Sequence, residues 1–203
     1  MQSIDDKVIS RIYGNGRGWS FFQNDFLDLG GADAIRKSLS RFEQAGTIRR
    51  VMRGIYDYPK YSKRLNTVLS PEIQQVAFAL ARKFNWRITP TGDTALNLLG
   101  LSTQVPGRYV YLCDGANRVY DIGKVSLEFK KTALKEIGFK HRESDLLVQA
   151  IKALGKDKIT PDIIKQFQKA LNKEMASKIL KDTQHTTTWI YEVIKQVFAE
   201  SAK

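Results

Sequence analysis

Cysteine is all but missing: Cys113 stands alone in a chain of 203 residues, which excludes an internal disulfide. Histidine is nearly as scarce, and His141 and His185 with one thiol do not make a zinc ligand set. Neither a metal nor a cofactor is expected. No apolar run approaches the roughly 20 residues that span a bilayer, and the N-terminal MQSIDDKVIS lacks a basic region followed by an apolar core. A cytoplasmic protein with no membrane contact is the expectation. Internal repeats and low-complexity tracts are missing too.

What is present is an ordinary globular composition with an unusual charge. Hydrophobic residues make up 42% and charged residues 27%, so the chain can bury a core and disorder is not the default. The net charge is +12, which points to nucleic acid or an acidic surface as partner. The charge is concentrated. Arg36, Lys37, Arg41, Arg49, Arg50, Arg53, Lys60, Lys63 and Arg64 face only two acids, Glu43 and Asp57, in the same stretch.

The hydrophobic periodicity places elements around that cluster. Ile4, Val8, Ile9 and Ile12 have helical spacing, with Ser3 as cap and Asp5 and Asp6 in the first turn. GNGRG follows a helix and does not join a strand to a helix, so it reads as a helix stop and not as a phosphate loop. WSFF reads as a short strand, and a brief helix capped by Asn24 carries Phe26, Leu27 and Leu29. ADAIRKSLSRFEQAG then forms a helix with Ala32, Ile35, Leu39 and Phe42 on one face. Asp33, Lys37, Ser40, Arg41 and Gln44 lie on the opposite face, with Arg36 at its edge. TIRRVMRGIYDYP gives two strands meeting near Arg53 and Gly54, and PKYSKRLN reads as a basic arm. This order is that of a winged helix-turn-helix, with the hairpin as wing.

Beyond Pro71 the pattern changes. A helix with Ile73, Val76, Ala77, Leu80 and Phe84 on one face is followed by a short strand and a short helix. RYVYL, NRVYDIG and KVSLEFKK read as a small antiparallel sheet, and the remainder as helices, one capped by Ser144, one by Thr160 ahead of Pro161, and a last one from about Thr187. The expected class is α+β: a winged helix-turn-helix over residues 1–65 and an α+β domain with a small antiparallel sheet and a helical tail over 66–203.

No enzyme chemistry stands out. Cys113 ends an apolar strand and reads as a buried thiol, His141 in KHRESD as part of a turn ahead of a helix, and Asp93 and Asn97 as caps and surface residues. A non-enzymatic role is expected. Lys37, Ser40, Arg41 and Gln44 would face the major groove of double-stranded DNA, and Arg49, Arg50, Arg53, Lys60, Lys63 and Arg64 would neutralise phosphate. Strand alternation prevents Arg49 and Arg50 from both facing DNA, and Arg50 and Arg53 are expected to do so ahead of Arg49. Two readings stay open beside this one: a winged helix used to bind protein or RNA, and, last, an enzyme acting on nucleic acid.

SLSRFEQAGTIRRVMRGIYDYPKY, with its glycine-ended helix and a hairpin running to Gly-Ile-Tyr and a proline, resembles the winged-helix domain of AbiEi-type antitoxins, which belong to type IV toxin-antitoxin systems related to bacterial abortive infection of phage. TGDTALNLLGLSTQVPGRYVYLCDG is similar to the core stretch of a branch of that family, and the resemblance spans roughly residues 4–155. It implies an antitoxin encoded beside a nucleotidyltransferase toxin. The winged helix would repress the antitoxin's own operon at its promoter, with a homodimer on DNA among the arrangements allowed. The C-terminal domain would contribute to neutralising the toxin, with no stable complex required. Carried over by position, the recognition helix is Ala32 to Ala45 and the wing Thr47 to Tyr58.

Overall fold

Ser3 starts the first helix, α1 (Ile4–Asn15), through a capping box: its hydroxyl accepts the Asp6 N–H at 3.1 Å and the Asp6 carboxylate accepts the Ser3 N–H at 3.1 Å. Val8 and Ile12, four residues apart, bury one face, and Gly16 ends the helix at φ +81°. A computed structural model of the chain describes residues 2–102, 107–132 and 138–199. Residues 103–106 of the antitoxin-like core stretch lie outside the described residues.

After α1 come β1 (Ser20–Phe21), a single 3-10 turn (Gln23–Phe26) and α2 (Ala32–Gln44). The turn is capped at Phe22, whose N–H donates to the Asp25 carboxylate; Asn24, expected as the cap, lies inside it. Ile35 and Leu39 of α2 are buried with Phe21, Phe26, Val8, Ile12 and Ile48, and Phe42 packs partly buried against them, so the apolar stripe read from the sequence faces the core except at Ala32, which is exposed at the start of the helix. β2 (Arg49–Met52) and β3 (Ile55–Asp57) turn at Gly54, whose φ of +75° suits glycine. They form an antiparallel three-stranded sheet in the order β1, β3, β2, and the register shifts between Arg50 and Met52.

Two expectations for the region that follows are corrected. PKYSKRLN is not an irregular arm: β4 (Tyr61–Ser62) and β5 (Thr67–Val68) pair as a hairpin of their own around a turn at Lys63 to Asn66. The helix expected to open the second domain, α3 (Ile73–Phe84), packs on β1 and β3. The chain accordingly divides into Met1–Trp86 and Arg87–Lys203, and not after residue 65. Arg82 of α3 fixes this arrangement, its guanidinium donating to both Asp25 carboxylate oxygens at 3.0 and 2.9 Å and to the Ser20 carbonyl at 2.9 Å.

The second unit holds β6 (Ile88–Pro90), α4 (Gly92–Leu98), β7 (Arg108–Cys113), β8 (Arg118–Ile122), β9 (Val125–Lys131) and four helices: α5 (Arg142–Leu154), α6 (Pro161–Ala170), α7 (Ala176–Thr183) and α8 (Thr188–Phe198). The sheet runs β6, β7, β9, β8. It is antiparallel at β6–β7 and β8–β9, but β9 inserts beside β7 in parallel, so the sheet is mixed and not wholly antiparallel. α5 begins before the expected cap, with His141 at the cap position and Ser144 buried in the first turn, whereas Thr160 caps α6 as expected, accepting the Ile163 N–H. Leu147, Val148, Ile151, Phe167, Ile179, Ile190, Ile194 and Phe198 build the helical core. The chain is thus α+β in both units. Among the described residues no helix is long and apolar enough to cross a membrane.

Candidate nucleic-acid interface

The outward face of α2 carries Asp33, Arg36, Lys37, Ser40, Arg41 and Gln44, all exposed, as its helical wheel requires. These side chains are not equivalent. Arg41 turns back to α1, where its Nε and Nη2 donate to the two Asp5 carboxylate oxygens at 2.9 and 2.5 Å. The buried Ser38 hydroxyl donates to the same carboxylate, with the Ala34 carbonyl at 3.0 Å as an alternative acceptor for its one proton. The hydrogen bonds from Arg41 and Ser38 hold the Asp5 carboxyl below its ordinary value. Arg41, expected to read a base edge, therefore ties α2 to α1 with its fork occupied. Arg36 pairs with Asp33 one turn away, at 3.1 Å in full solvent, which restrains it little. Lys37, Ser40 and Gln44 have no side-chain partner among the described residues.

In the β2–β3 hairpin, alternation puts Arg49 and Arg50 on opposite faces, and Arg53 lies in the turn beyond the end of β2. Arg49 points inward: Nε and Nη2 donate to the Asp57 carboxylate at 3.0 and 2.5 Å, and Nη1 donates to the Leu69 carbonyl at 2.9 Å. The Asp57 side chain is only 1% exposed. Burial raises its carboxyl above the ordinary value, and the two bonds from Arg49 offset only part of that. Arg49 is thus a half-buried brace on a buried acid, and Arg50 and Arg53 are the exposed ones, without a side-chain partner among the described residues. At the tip, Lys83 of α3 donates to the Arg53 carbonyl at 3.4 Å, and its Nζ lies 3.0 Å from where a Cβ on Gly54 would sit. Lys83 is a cation of the hairpin tip that the sequence reading missed, because 30 residues separate it from Arg53.

Lys60 is also occupied, in an ion pair with Glu72, and Arg17 donates to the Pro59 carbonyl at 2.8 Å while lying over the Tyr58 ring. Lys63 and Arg64 are exposed in the β4–β5 turn and have no partner among the described residues. Of the eleven expected contact residues, the first unit thus uses Arg41, Arg49 and Lys60 to hold itself together, pairs Arg36 with its own helix, and leaves seven free at the surface.

A model of the protein family described as a family of unknown function, DUF6088, matches residues 7–179. The chain belongs to that family. No curated protein matches this DUF6088 chain. Among solved structures, the crystal structure of the RV2827C protein from Mycobacterium tuberculosis is similar to it at 13% identity and a TM-score of 0.42, over 100% of this chain and 78% of that one.

The candidate catalytic residues of the DUF6088 chain have structural partners. Cys113 is buried, its thiol lies 3.7 Å from the Ala116 carbonyl, and burial pushes its pKa up, against thiolate formation. Asn97 donates to the Asp93 carbonyl within α4. Among the described residues no group of three or more His, Cys, Asp or Glu is placed to hold a metal. The second unit does contain a pair of carboxylates the sequence did not announce. Asp145 accepts the Phe139 N–H at 2.9 Å, and burial pushes its carboxyl up to about 6. Asp182 accepts the N–H groups of Lys140 and His141 at 3.0 and 2.9 Å; partial burial pushes it up, and these bonds outweigh that and leave it below the ordinary value. The two acids hold the chain entering α5.

Proposed function

We propose that this protein is a sequence-specific double-stranded DNA-binding antitoxin that represses its own operon, with its first unit acting as a winged helix-turn-helix. In this reading α2 enters the major groove, the β2–β3 hairpin is the wing, and the second helix of the motif is reduced to one 3-10 turn. The observation that carries the reading is the sorting of cations in that unit. Arg11, Arg41, Arg49, Lys60 and Arg82 face acids, while Lys37 on the outer face of α2, Arg50 and Arg53 on the first hairpin and Lys63 and Arg64 in the turn of the second are exposed and uncommitted, at places a duplex reaches.

Each free group then has a role. Gln44 suits a bidentate contact to adenine, Lys37 an acceptor on guanine, and Ser40 either a base edge or a phosphate. Arg50, Arg53 and Lys83 neutralise phosphate along the wing, and Lys63 and Arg64 do so from the second hairpin. Arg41 sets the position of α2 through Asp5. The antitoxin part of the proposal rests on the resemblance of residues 4–155 to AbiEi-type antitoxins: the partner is a nucleotidyltransferase toxin encoded alongside, which the second unit counteracts without enzymatic activity of its own.

A reporter fused to the DNA upstream of the gene tests the first half, and survival of cells expressing the neighbouring toxin tests the second. The wild-type chain should silence the reporter and restore growth. An Arg50→Ala, Arg53→Ala variant should lose repression and retain rescue. A wild-type chain that leaves the reporter fully active would contradict the repressor reading. A stable complex with the toxin on size exclusion, with no duplex affinity, would make the protein an interaction module instead.

A further inference from the structure

The β4–β5 hairpin is unusual in what it shows to solvent. Its strands pair only with each other, two residues each, and such an isolated ribbon gains little from its own hydrogen bonds. Yet it turns its apolar side chains outward: Tyr61 is 47%, Leu65 59% and Val68 51% exposed, and Tyr61 stands directly opposite Val68. From Tyr58 to Pro71 the chain has three cations, Lys60, Lys63 and Arg64, and no acid. Lys60 is held at the base by Glu72, so the two cations flanking Leu65 on its N-terminal side are uncommitted.

We propose that the tip of this hairpin is a minor-groove wedge, in which Leu65 inserts between base pairs of duplex DNA while Lys63 and Arg64 contact the bordering phosphates. The proposal rests on the DNA-binding reading and extends it with a second contact that deforms the duplex. An apolar side chain flanked by lysine and arginine is the chemistry that unstacks a base step from the minor groove, where the duplex is only about 6 Å wide and admits a turn apex more readily than a ribbon. A ribbon lying in the major groove would instead offer polar strand residues to base edges, and the outward strand residues here include Tyr61 and Val68. A second copy of the hairpin would bring like charges together, which disfavours self-association through this tip.

The tip is also held in place before any DNA arrives. The Tyr61 hydroxyl donates to Asn66 Oδ1, the Leu65 N–H donates to the Ser62 hydroxyl at 3.2 Å, and Asn66 adopts a left-handed conformation at φ +48°. At the base, the Leu69 carbonyl accepts from Arg49 at 2.9 Å, so the arginine that braces the wing also anchors this hairpin. Little ordering entropy is then left to lose on binding.

The test uses the full chain and a duplex from the DNA upstream of its gene, labelled at its ends with a donor and an acceptor dye, with distamycin as a minor-groove competitor. The parent should bind and bring the ends together, and distamycin should reverse the bend. Leu65→Ala, folded as judged by its melt, should bind about tenfold more weakly and leave the duplex straight, whereas Leu65→Met should retain the bend, since methionine also serves as a wedge. Lys63→Ala with Arg64→Ala should lower the salt slope by about two. If the parent binds and Leu65→Ala binds and bends alike, the wedge is overturned and the DNA-binding reading survives. If Leu65→Ala turns a dimer into a monomer without changing the bend, the tip is a self-association element and the wedge is again overturned. A parent that binds no duplex overturns both.

Discussion

At the scale of single residues, the arginines of the first unit separate into braces and free contacts, and the two classes answer to different measurements. Removing the partner of a buried carboxylate leaves it unsatisfied, so Arg49→Ala, which strands the 1% exposed Asp57 carboxylate, should cost about 2 kcal/mol in urea unfolding. Arg53→Ala touches no such pair and should leave the midpoint unchanged while weakening binding to all DNA sequences alike and lowering the salt slope by about one. Equal midpoints for the two variants would remove the distinction. Asp145 gives a pH prediction whose sign is opposite to that of a paired carboxylate. Its folded pKa of about 6 lies above the ordinary value of 3.8, so the native state binds more protons than the unfolded chain between those values. Its contribution to stability therefore falls as pH rises from about 4 through 6 and is lowest at neutral pH, by on the order of 3 kcal/mol. Asp145→Asn keeps an acceptor for the Phe139 N–H and should be the more stable protein at pH 7, with a flatter profile. A variant less stable than the parent at both pH 5 and pH 7 would contradict this account.

At the scale of elements, α2 is a rigid body located by its buried stripe and by the Asp5–Ser38–Arg41 network, and this predicts how its substitutions act. Leu39→Ala removes a side chain that is 1% exposed and should cost about 3 kcal/mol. Gln44→Ala should leave stability alone and relax discrimination at one base pair, while Arg41→Ala should weaken binding to every sequence by loosening α2 on α1; competition with single-base variants of the upstream site separates the two. The faces of α2 were legible in the sequence because Ile35, Leu39 and Phe42 repeat at helical spacing. Ser38, in the same stripe, was the readable sign of a buried polar contact, but its partner is 33 residues away and leaves no local trace. The β4–β5 hairpin was not legible: two-residue strands are too short for an alternation to register, and Asn66 takes the left-handed position that glycine usually marks. α3 was legible as a helix, but periodicity shows which face is buried and not against which unit, and the parallel β7–β9 pairing is likewise a fact of topology that alternation cannot carry.

At the scale of the whole molecule, membership of the DUF6088 family spans most of the chain, and the two units divide the labour proposed for it. A positive charge concentrated in one stretch of the first unit should make DNA binding steeply salt-dependent, with a slope set by the phosphates contacted and not by the net charge of +12. The most direct measurement is fluorescence anisotropy of the protein on its own upstream duplex and on a scrambled duplex of equal length, across a salt series. The account predicts tighter binding to the upstream duplex by on the order of a hundredfold or more at moderate salt, with a steep slope on both. Equal affinity for the two duplexes, or no binding to either, would contradict the claim that this is a sequence-specific repressor.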